Sequence, residues 1–218
     1  MNIYHALTLF AFLFVGSPLA SAQISNGSFE DFTGFTDTAI STELGGAGVD
    51  NLGTATSWIF GQGAGIAEGQ TTDGIAAAWL SPNTLGGDAV VSQTFSLSNT
   101  GTFSLRWDSF AGQVGVESVH RYNVDLSAVG GASIFNADFE EIIFFDELAT
   151  SNSVPFNATG GLYSLTFTGL GLTGLEYTGI GVSAGDIFID NVTVAVPEPG
   201  SALIATLAGL GLLFRRRR

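Results

Sequence analysis

The sequence predicts an all-β protein whose central part is a single antiparallel β-sandwich. Three observations support this fold class. Apolar and polar residues alternate in several short segments, turns rich in Gly, Asn and Ser separate these segments, and no segment has the apolar periodicity of an amphipathic helix. Many short alternating strands with such turns are typical of sandwiches and barrels.

Two strands follow most directly from the alternation. Phe103, Leu105 and Trp107 alternate with polar residues, and the same pattern runs from Tyr163 to Phe167. Each segment would therefore bury one face, and Trp107 is expected to pack in the core. The other predicted elements are strands at 89–97, 119–126, 140–145, 175–182 and 187–194, turns at 98–101 and 158–161, and a glycine-rich excursion of loops and short strands at 45–74.

Residues 1–22 predict a secretory signal peptide. An apolar run at 6–15 ends in a Ser-Pro break, and Ala20 and Ala22 then form a small-x-small cleavage site. Export through the Sec machinery and cleavage by signal peptidase would leave Gln23 as the new N-terminus. The alternatives are a membrane anchor or a buried strand. The apolar run is too short to span a bilayer, although the segment before it lacks the usual Lys or Arg.

Residues 196–218 predict a sorting segment in three parts. Prolines in 196–201 favour extended, accessible backbone. The uncharged residues 202–214 can form a transmembrane helix, although their length gives only about 20 Å against a hydrocarbon core of about 30 Å. The arginines at 215–218 would keep this end on the cytoplasmic side. A short buried C-terminal helix is the alternative, but the apolar segment has no polar face.

This C-terminal pattern resembles the PEP-CTERM sorting signal of Gram-negative bacteria. The triplet Pro197, Glu198 and Pro199 precedes a short apolar segment and an arginine block, over about the last 22 residues. The resemblance implies a transient anchor in the inner membrane, cleavage near the triplet by an exosortase, and delivery to the cell surface or an extracellular polysaccharide matrix. The arginines that the resemblance assigns to sorting are Arg215, Arg216, Arg217 and Arg218.

The composition of the exported part excludes several classes of function. Residues 23–196 contain 19 Asp and Glu but only Arg106 and Arg121, so their formal charge is 2 − 19 = −17. This charge repels nucleic-acid phosphates, so we expect no nucleic-acid partner. Cysteine and lysine are absent and this part has one histidine, His120, which excludes thiol, Schiff-base and multi-histidine zinc chemistry. The sequence therefore predicts a noncatalytic protein.

One catalytic alternative uses the carboxylates near residue 140. Two acids at a suitable separation would supply the acid and base of a glycoside-active enzyme. The alternative is a solvated strand edge, where charges discourage edge-to-edge pairing. His120 is likewise expected on a strand surface. The acids in question are Glu140, Glu141, Asp146 and Glu147.

Segments 26–30 (NGSFE), 92–95 (SQTF) and 189–192 (IDNV) are similar to the framing elements of galactose-binding-like jelly rolls. This family includes many carbohydrate-binding modules. The similarity covers residues 24–194 and implies a jelly-roll-like sandwich as the domain at 23–195. It also implies a structural calcium between the first and last strands, with Glu30 and Asp190 as oxygen ligands. The alternative, which the residues alone favour slightly, is that Glu30 caps a strand and Asp190 bonds to a turn.

Sugar binding commonly uses an exposed aromatic face beside amides or carboxylates that hydrogen-bond the sugar hydroxyls. Trp58 and Trp79 are the candidate sugar contacts, with core packing as the equal alternative, and Tyr122 and Tyr177 are further aromatic candidates. The sequence thus predicts an exported, noncatalytic surface or extracellular-matrix protein associated with exopolysaccharide. The alternatives are a specific carbohydrate-binding module and a secreted glycoside-active enzyme.

Overall fold

The computed structural model describes residues 24–33, 54–61, 63–68, 71–72, 74–81, 89–111, 119–142, 149–173 and 186–195. Every regular secondary-structure element in this part of the chain is a β-strand, which confirms the predicted all-β class. Among the same residues, no helix is long and apolar enough to cross a membrane. The predicted signal peptide and sorting segment lie outside the described residues.

The described residues form twelve strands. In chain order they are β1 (Phe32–Thr33), β2 (Thr54–Ala55), β3 (Ile59–Phe60), β4 (Ala64–Glu68), β5 (Ala76–Leu80), β6 (Ala89–Leu97), β7 (Gly101–Ala111), β8 (Val119–Ala128), β9 (Ser133–Ile142), β10 (Thr150–Ala158), β11 (Gly161–Thr173) and β12 (Ile187–Ala195).

Ten of these strands form two antiparallel five-stranded sheets, and β1 pairs with β2. The first sheet has the order β10-β7-β12-β5-β4, and the second sheet has the order β3-β6-β11-β8-β9. From β5 to β8, and again from β9 to β12, each strand lies in the sheet opposite to that of its predecessor. This alternation between two packed sheets is a jelly-roll-like arrangement. The predicted antiparallel sandwich is confirmed.

The core follows the alternation of the sequence. On β8 the side chains of Tyr122, Val124 and Leu126 are buried, while the polar residues between them stay partly exposed. On the neighbouring β11, Leu165 and Phe167 are buried in the same way. Because successive side chains on a strand point to opposite faces, one face of each sheet fills the core and the other remains for polar residues.

Aromatic side chains hold the two sheets together. Trp107 of the first sheet packs edge-on against Phe139 of the second, with ring centroids 5.0 Å apart and an interplanar angle of 89°. A second contact joins Trp107 to Phe167 at 5.9 Å. Edge-to-face pairs of this kind stabilise by about 0.5–1.5 kcal/mol beyond the area that they bury. The expected core position of Trp107 is therefore observed.

The segment that follows the predicted cleavage site is attached to both sheets. The buried side chain of Gln93 accepts a hydrogen bond from the Ser25 amide (2.9 Å) and donates one to the Ser25 carbonyl (2.8 Å). The Gly27 carbonyl accepts from the amide of Val192 on β12. A Cβ at Gly27 would lie 1.9 Å from the Val192 carbonyl oxygen, so only glycine permits this approach. Residues 25–27 therefore connect β6 of the second sheet with β12 of the first.

Strand predictions agree with the structure where alternation is strong. The strand predicted at 89–97 is β6, and the strand predicted at 119–126 is the main part of β8. The segment predicted at 140–145 overlaps only the end of β9, which begins at Ser133 and ends at Ile142. Predicted strand 175–182 lies outside the described residues. The sequence does not predict β10, because Pro155 and a mostly polar composition disguise an edge strand, where proline is tolerated.

Candidate functional site

The outer face of the second sheet carries a polar surface over β6, β11, β8 and β9, bordered by the exposed side chains of Ile59 and Leu162. Its strands place core residues on one side, so the intervening residues point outward and are partly or fully exposed. We call this surface the polar face. It is formed by Ser92 and Thr94 of β6, Ser164, Thr166 and Thr168 of β11, Arg121, Asn123 and Asp125 of β8, and Asn136, Asp138 and Glu140 of β9.

Strand register arranges the polar face in rows that cross the sheet. In one row Thr166 is the partner of Ser92 on one side and of Asp125 on the other, and Asp125 is in turn the partner of Asn136. The next row joins Thr168, Asn123 and Asp138. Neighbouring strands lie about 4.8 Å apart, so the first row presents hydroxyl, carboxylate and amide groups over about 14 Å.

Hydrogen bonds between β8 and β9 hold the side chains of these rows in place. The amide nitrogen of Asn123 donates to Asn136 Oδ1 (3.1 Å) and Asp138 Oδ1 (2.8 Å). The amide nitrogen of Asn136 donates to Asp125 Oδ1 (2.9 Å). The amide donors are directed within the face, so carboxylate oxygens and hydroxyls are the groups left to meet a ligand.

The guanidinium of Arg121 is also engaged within the polar face. Its Nη2 donates to Asp138 Oδ2 at 2.9 Å, and its Nε lies 3.6 Å from Glu140 Oε1, an ion pair without a hydrogen bond. These side chains are between 31% and 58% exposed, so the pairs stabilise the fold by no more than about 1 kcal/mol each. Their main effect is to fix the cation against two carboxylates.

Trp58, a predicted sugar contact, lies in the main core and is only 6% exposed. Its ring packs against Phe29 with centroids 4.8 Å apart, and its indole N–H donates to the Asn26 carbonyl at 2.9 Å. A stacking platform needs an open ring face, and Trp58 offers none in this structure. This position corrects the ligand-facing interpretation in favour of core packing.

Trp79, the second predicted sugar contact, is also buried, but on the other side of the first sheet. Its neighbours Ala78 and Leu80 belong to the main core, whereas Trp79 joins a separate apolar cluster with Phe188 and Phe110. The rings of Phe110 and Phe188 stack at 5.1 Å. Trp79 is 7% exposed, so here too the ring presents no open face for a sugar.

The proposed calcium ligands Glu30 and Asp190 both face the segment before β5. Glu30 Oε1 accepts from the amides of Ile75 (2.8 Å) and Ala76 (2.9 Å). Asp190 Oδ2 accepts from the amide (2.7 Å) and the hydroxyl (2.9 Å) of Thr72. These bonds are the strand cap and the turn contact that the residues alone allow. The described residues contain no group of three or more acidic, His or Cys side chains that could hold a metal, and calcium binding stays a prediction.

A buried polar chain between the sheets was not predicted from the sequence. The Trp107 indole N–H donates to the Tyr122 hydroxyl (3.0 Å), which donates to the Ser109 hydroxyl (2.9 Å), which donates to Glu141 Oε1. The second carboxylate oxygen of Glu141 accepts from the Thr150 hydroxyl at 2.8 Å. Burial raises the pKa of the Tyr122 phenol well above its usual value, so this hydroxyl remains a donor.

Two expectations for this region are wrong. His120 is fully buried rather than on the strand surface, and its Nδ1 lies 2.9 Å from the Asp186 carbonyl, which can only accept, so Nδ1 carries the hydrogen. Glu141 is 8% exposed rather than part of a solvated edge. The sequence could have shown the burial of both side chains through the strand alternation. His120 is in phase with the buried Val124, and Glu141 is in phase with the core-facing Phe139.

The carboxylates considered for glycoside hydrolysis do not form one site among the described residues. Glu140 points to the polar face and Glu141 points into the sandwich, so these neighbours cannot act together on one substrate. Asp146 and Glu147 lie outside the described residues. The same holds for the predicted cleavage residues Ala20, Ala22 and Gln23, and for the sorting residues from Pro197 to Arg218.

No protein-family model and no curated protein matches this chain. Among solved structures, a family 61 carbohydrate-binding module in complex with β-1,4-galactotriose resembles it at 11% identity and a TM-score of 0.47, over 81% of this chain and 99% of that one. A family 4 carbohydrate-binding module is 16% identical with a TM-score of 0.42, over 79% of this chain and 99% of that one. An arabinose-bound family 51 α-L-arabinofuranosidase is 13% identical with a TM-score of 0.47, over 80% of this chain and 26% of that one. Similarity at this level carries no argument about function.

Proposed function

We propose that this protein is an exported, noncatalytic β-sandwich that associates with polysaccharide at the cell surface or in the extracellular matrix, and that it contacts the polysaccharide through its polar face. The observation that carries the proposal is the row of Ser92, Thr166, Asp125 and Asn136, which aligns hydroxyl, carboxylate and amide groups across four strands. Sugar hydroxyls both donate and accept hydrogen bonds, so they match such a row.

The polar face is suited to an extended polymer. Its central strands are flanked on both sides, and the side chains of β8 and β9 are already hydrogen-bonded to each other. Little side-chain freedom is therefore lost on binding, which lowers one of the main costs of association. No aromatic side chain points outward on the described part of this face, so we expect weak binding per site, dominated by hydrogen bonds.

The route to the surface is part of the same proposal, and its support is the sequence at the two ends. A signal peptide at 1–22 directs export, residues 202–214 anchor the chain transiently in the inner membrane, and an exosortase cleaves near Pro197 to Gly200. Deleting the arginines at 215–218 in the native host should change the fraction in which the protein is found. Intact mass measurement of surface material should show loss of the C-terminal segment. A mature protein that retains Arg218 would contradict this route.

Polysaccharide binding is tested by affinity electrophoresis and co-sedimentation with a panel of neutral, amino and acidic polysaccharides. Asn123→Ala removes the amide that holds the side chains of Asn136 and Asp138 in place, so we expect binding roughly three- to tenfold weaker, about the value of one net hydrogen bond. Asn157→Ala is the matched control. Asn157 is exposed on β10 of the first sheet and accepts from the Thr102 hydroxyl at 2.7 Å, away from the polar face.

The two variants separate a site on the polar face from a general effect on the fold. Binding that falls in Asn123→Ala and is unchanged in Asn157→Ala supports the proposal, provided that both variants unfold at similar temperatures. Equal losses in both variants would point to another surface. A folded wild-type protein that binds no polysaccharide in the panel would remove the proposed function.

A further inference from the structure

The balance of charge and hydrogen-bonding groups on the polar face narrows the class of polysaccharide. We propose that the polar face prefers an amino-sugar polymer with free, protonated amines over a neutral polymer, and rejects polymers of uronic acids. This inference rests on the proposed polysaccharide binding and specifies its ligand.

The amide donors of the polar face are already bonded to protein acceptors. The amide nitrogens of Asn123 and Asn136 donate to neighbours within the face. Arg121 donates to Asp138. The groups that the face presents to a ligand are therefore carboxylate oxygens, which only accept, and the Ser and Thr hydroxyls, which both donate and accept. An ammonium group has three donors and no acceptor, and it is the sugar substituent that complements such a surface best.

Negative charge is in excess on the polar face. Asp125, Asp138 and Glu140 place three carboxylates on the polar face, and the single described cation there, Arg121, is paired with two of them. The carboxylate of Asp125 has no cation among its described contacts on the face and instead accepts from Asn136. A uronate brought to this face would meet like charge, whereas an amine would meet unlike charge.

The net charge of the domain adds an electrostatic effect at longer range. The exported residues 23–196 have a formal charge of −17, with two arginines and no lysine. Such a field raises the local concentration of a polycation and lowers that of a polyanion, and it weakens as salt is added. Long-range attraction alone would not depend on which acid is removed, whereas contact at the polar face would. The experiment below uses this difference.

The test compares three hexasaccharides on the purified mature protein by isothermal titration calorimetry in mildly acidic buffer. The β-1,4-linked glucosamine hexamer and its fully N-acetylated counterpart share one backbone and differ in charge, and a galacturonate hexamer supplies the opposite charge. We expect the glucosamine hexamer to bind at least about fivefold more tightly than the acetylated hexamer, and to lose that advantage between roughly 0.05 and 0.5 M salt. The galacturonate hexamer should not bind.

Two variants locate the effect. Asp125→Asn removes one charge from the polar face but keeps the oxygen that accepts from Asn136, so the fold should be retained. Asp31→Asn removes the same charge from an exposed acid on the N-terminal segment. We expect Asp125→Asn to weaken the glucosamine hexamer about two- to fivefold, the value of one partly exposed charge pair, and Asp31→Asn to have little effect.

Each outcome has one meaning. Equal, salt-independent binding of the glucosamine and acetylated hexamers overturns the amine preference but leaves polysaccharide binding intact. Equal losses in Asp125→Asn and Asp31→Asn assign the preference to overall charge and also overturn it, as does tight binding of the galacturonate hexamer. If no hexamer and no polysaccharide of the earlier panel binds, it is the proposed function itself that fails.

Discussion

Replacing Gly74 by alanine tests the contact between Glu30 and the start of β5. Gly74 has φ +77, a conformation that costs an L-residue about 1–2 kcal/mol. A Cβ at this position would also lie 2.3 Å from Glu30 Cδ, so the carboxylate has to move. Moving it breaks the bonds from the Ile75 and Ala76 amides, each worth about 1.5 kcal/mol to a charged acceptor after allowance for the exposure of Glu30.

The expected total loss in the free energy of unfolding is therefore about 4–5 kcal/mol. Gly130 is a matched control, because its φ is +75 and nothing lies within 4 Å of the position of its Cβ. Gly130→Ala should lose only the conformational part, about 1–2 kcal/mol. Urea unfolding followed by tryptophan fluorescence measures both variants, and the difference corresponds to roughly 5–10 °C in Tm for a domain of this size.

Equal destabilisation by the two alanines would contradict this prediction. It would mean that the Glu30 carboxylate adjusts without cost and that its bonds to the amides of Ile75 and Ala76 contribute little. A larger loss at Gly74 would show that this carboxylate fixes the end of the strand, whether or not a cation also binds there.

Two further predictions concern the interior and calcium. Tyr122→Phe should cost about 2–4 kcal/mol in urea unfolding, because it leaves the buried Trp107 N–H without its acceptor and removes the donor to Ser109. Because burial raises the Tyr122 pKa, the folded state keeps a proton that the unfolded state releases above about pH 10. The stability that this proton gives is complete below that pH and is lost as the pH rises further. The free energy of unfolding should therefore decline less steeply above about pH 10 in Tyr122→Phe. If calcium bridges Glu30 and Asp190, a chelator should lower the Tm of the purified protein, and an unchanged Tm would exclude a stabilising calcium ion.

Alternation in the sequence was enough to predict the strands that lie across the middle of a sheet. In β6, β7 and β11 the core demands apolar side chains at every second position, so the pattern is visible. It was not enough for β5, which contains three consecutive alanines, all buried because both faces of this strand are covered. Nor was it enough for β10, an edge strand whose polar residues and Pro155 look like a loop.

The candidate site shows a similar division. The polar residues of β8 could be assigned to an outer face from their phase, but their hydrogen bonds depend on the register with β9, which local sequence does not specify. Aromatic residues were the weaker guide. Trp58 and Trp79 are of the residue type that contacts sugars, yet a sandwich without disulfides needs large side chains for its own interior. Both side chains are buried there.

Because a single polar face is expected to bind polysaccharide weakly, the protein would depend on many copies acting together. Hydrogen bonds to sugar hydroxyls replace bonds to water, so each contributes only about 0.5–1.5 kcal/mol and a single face binds weakly. A polysaccharide, however, repeats the same unit many times, and copies displayed together on a surface would engage one chain at high effective concentration. Affinity would then arise from the number of copies presented rather than from a deep pocket. If residues 196–218 bring copies of the protein to the surface and the polar face meets the polymer, as proposed, the two features depend on each other. Binding measured on a dense surface layer of the protein should then exceed that of the dissolved protein by far more than the ratio of their concentrations.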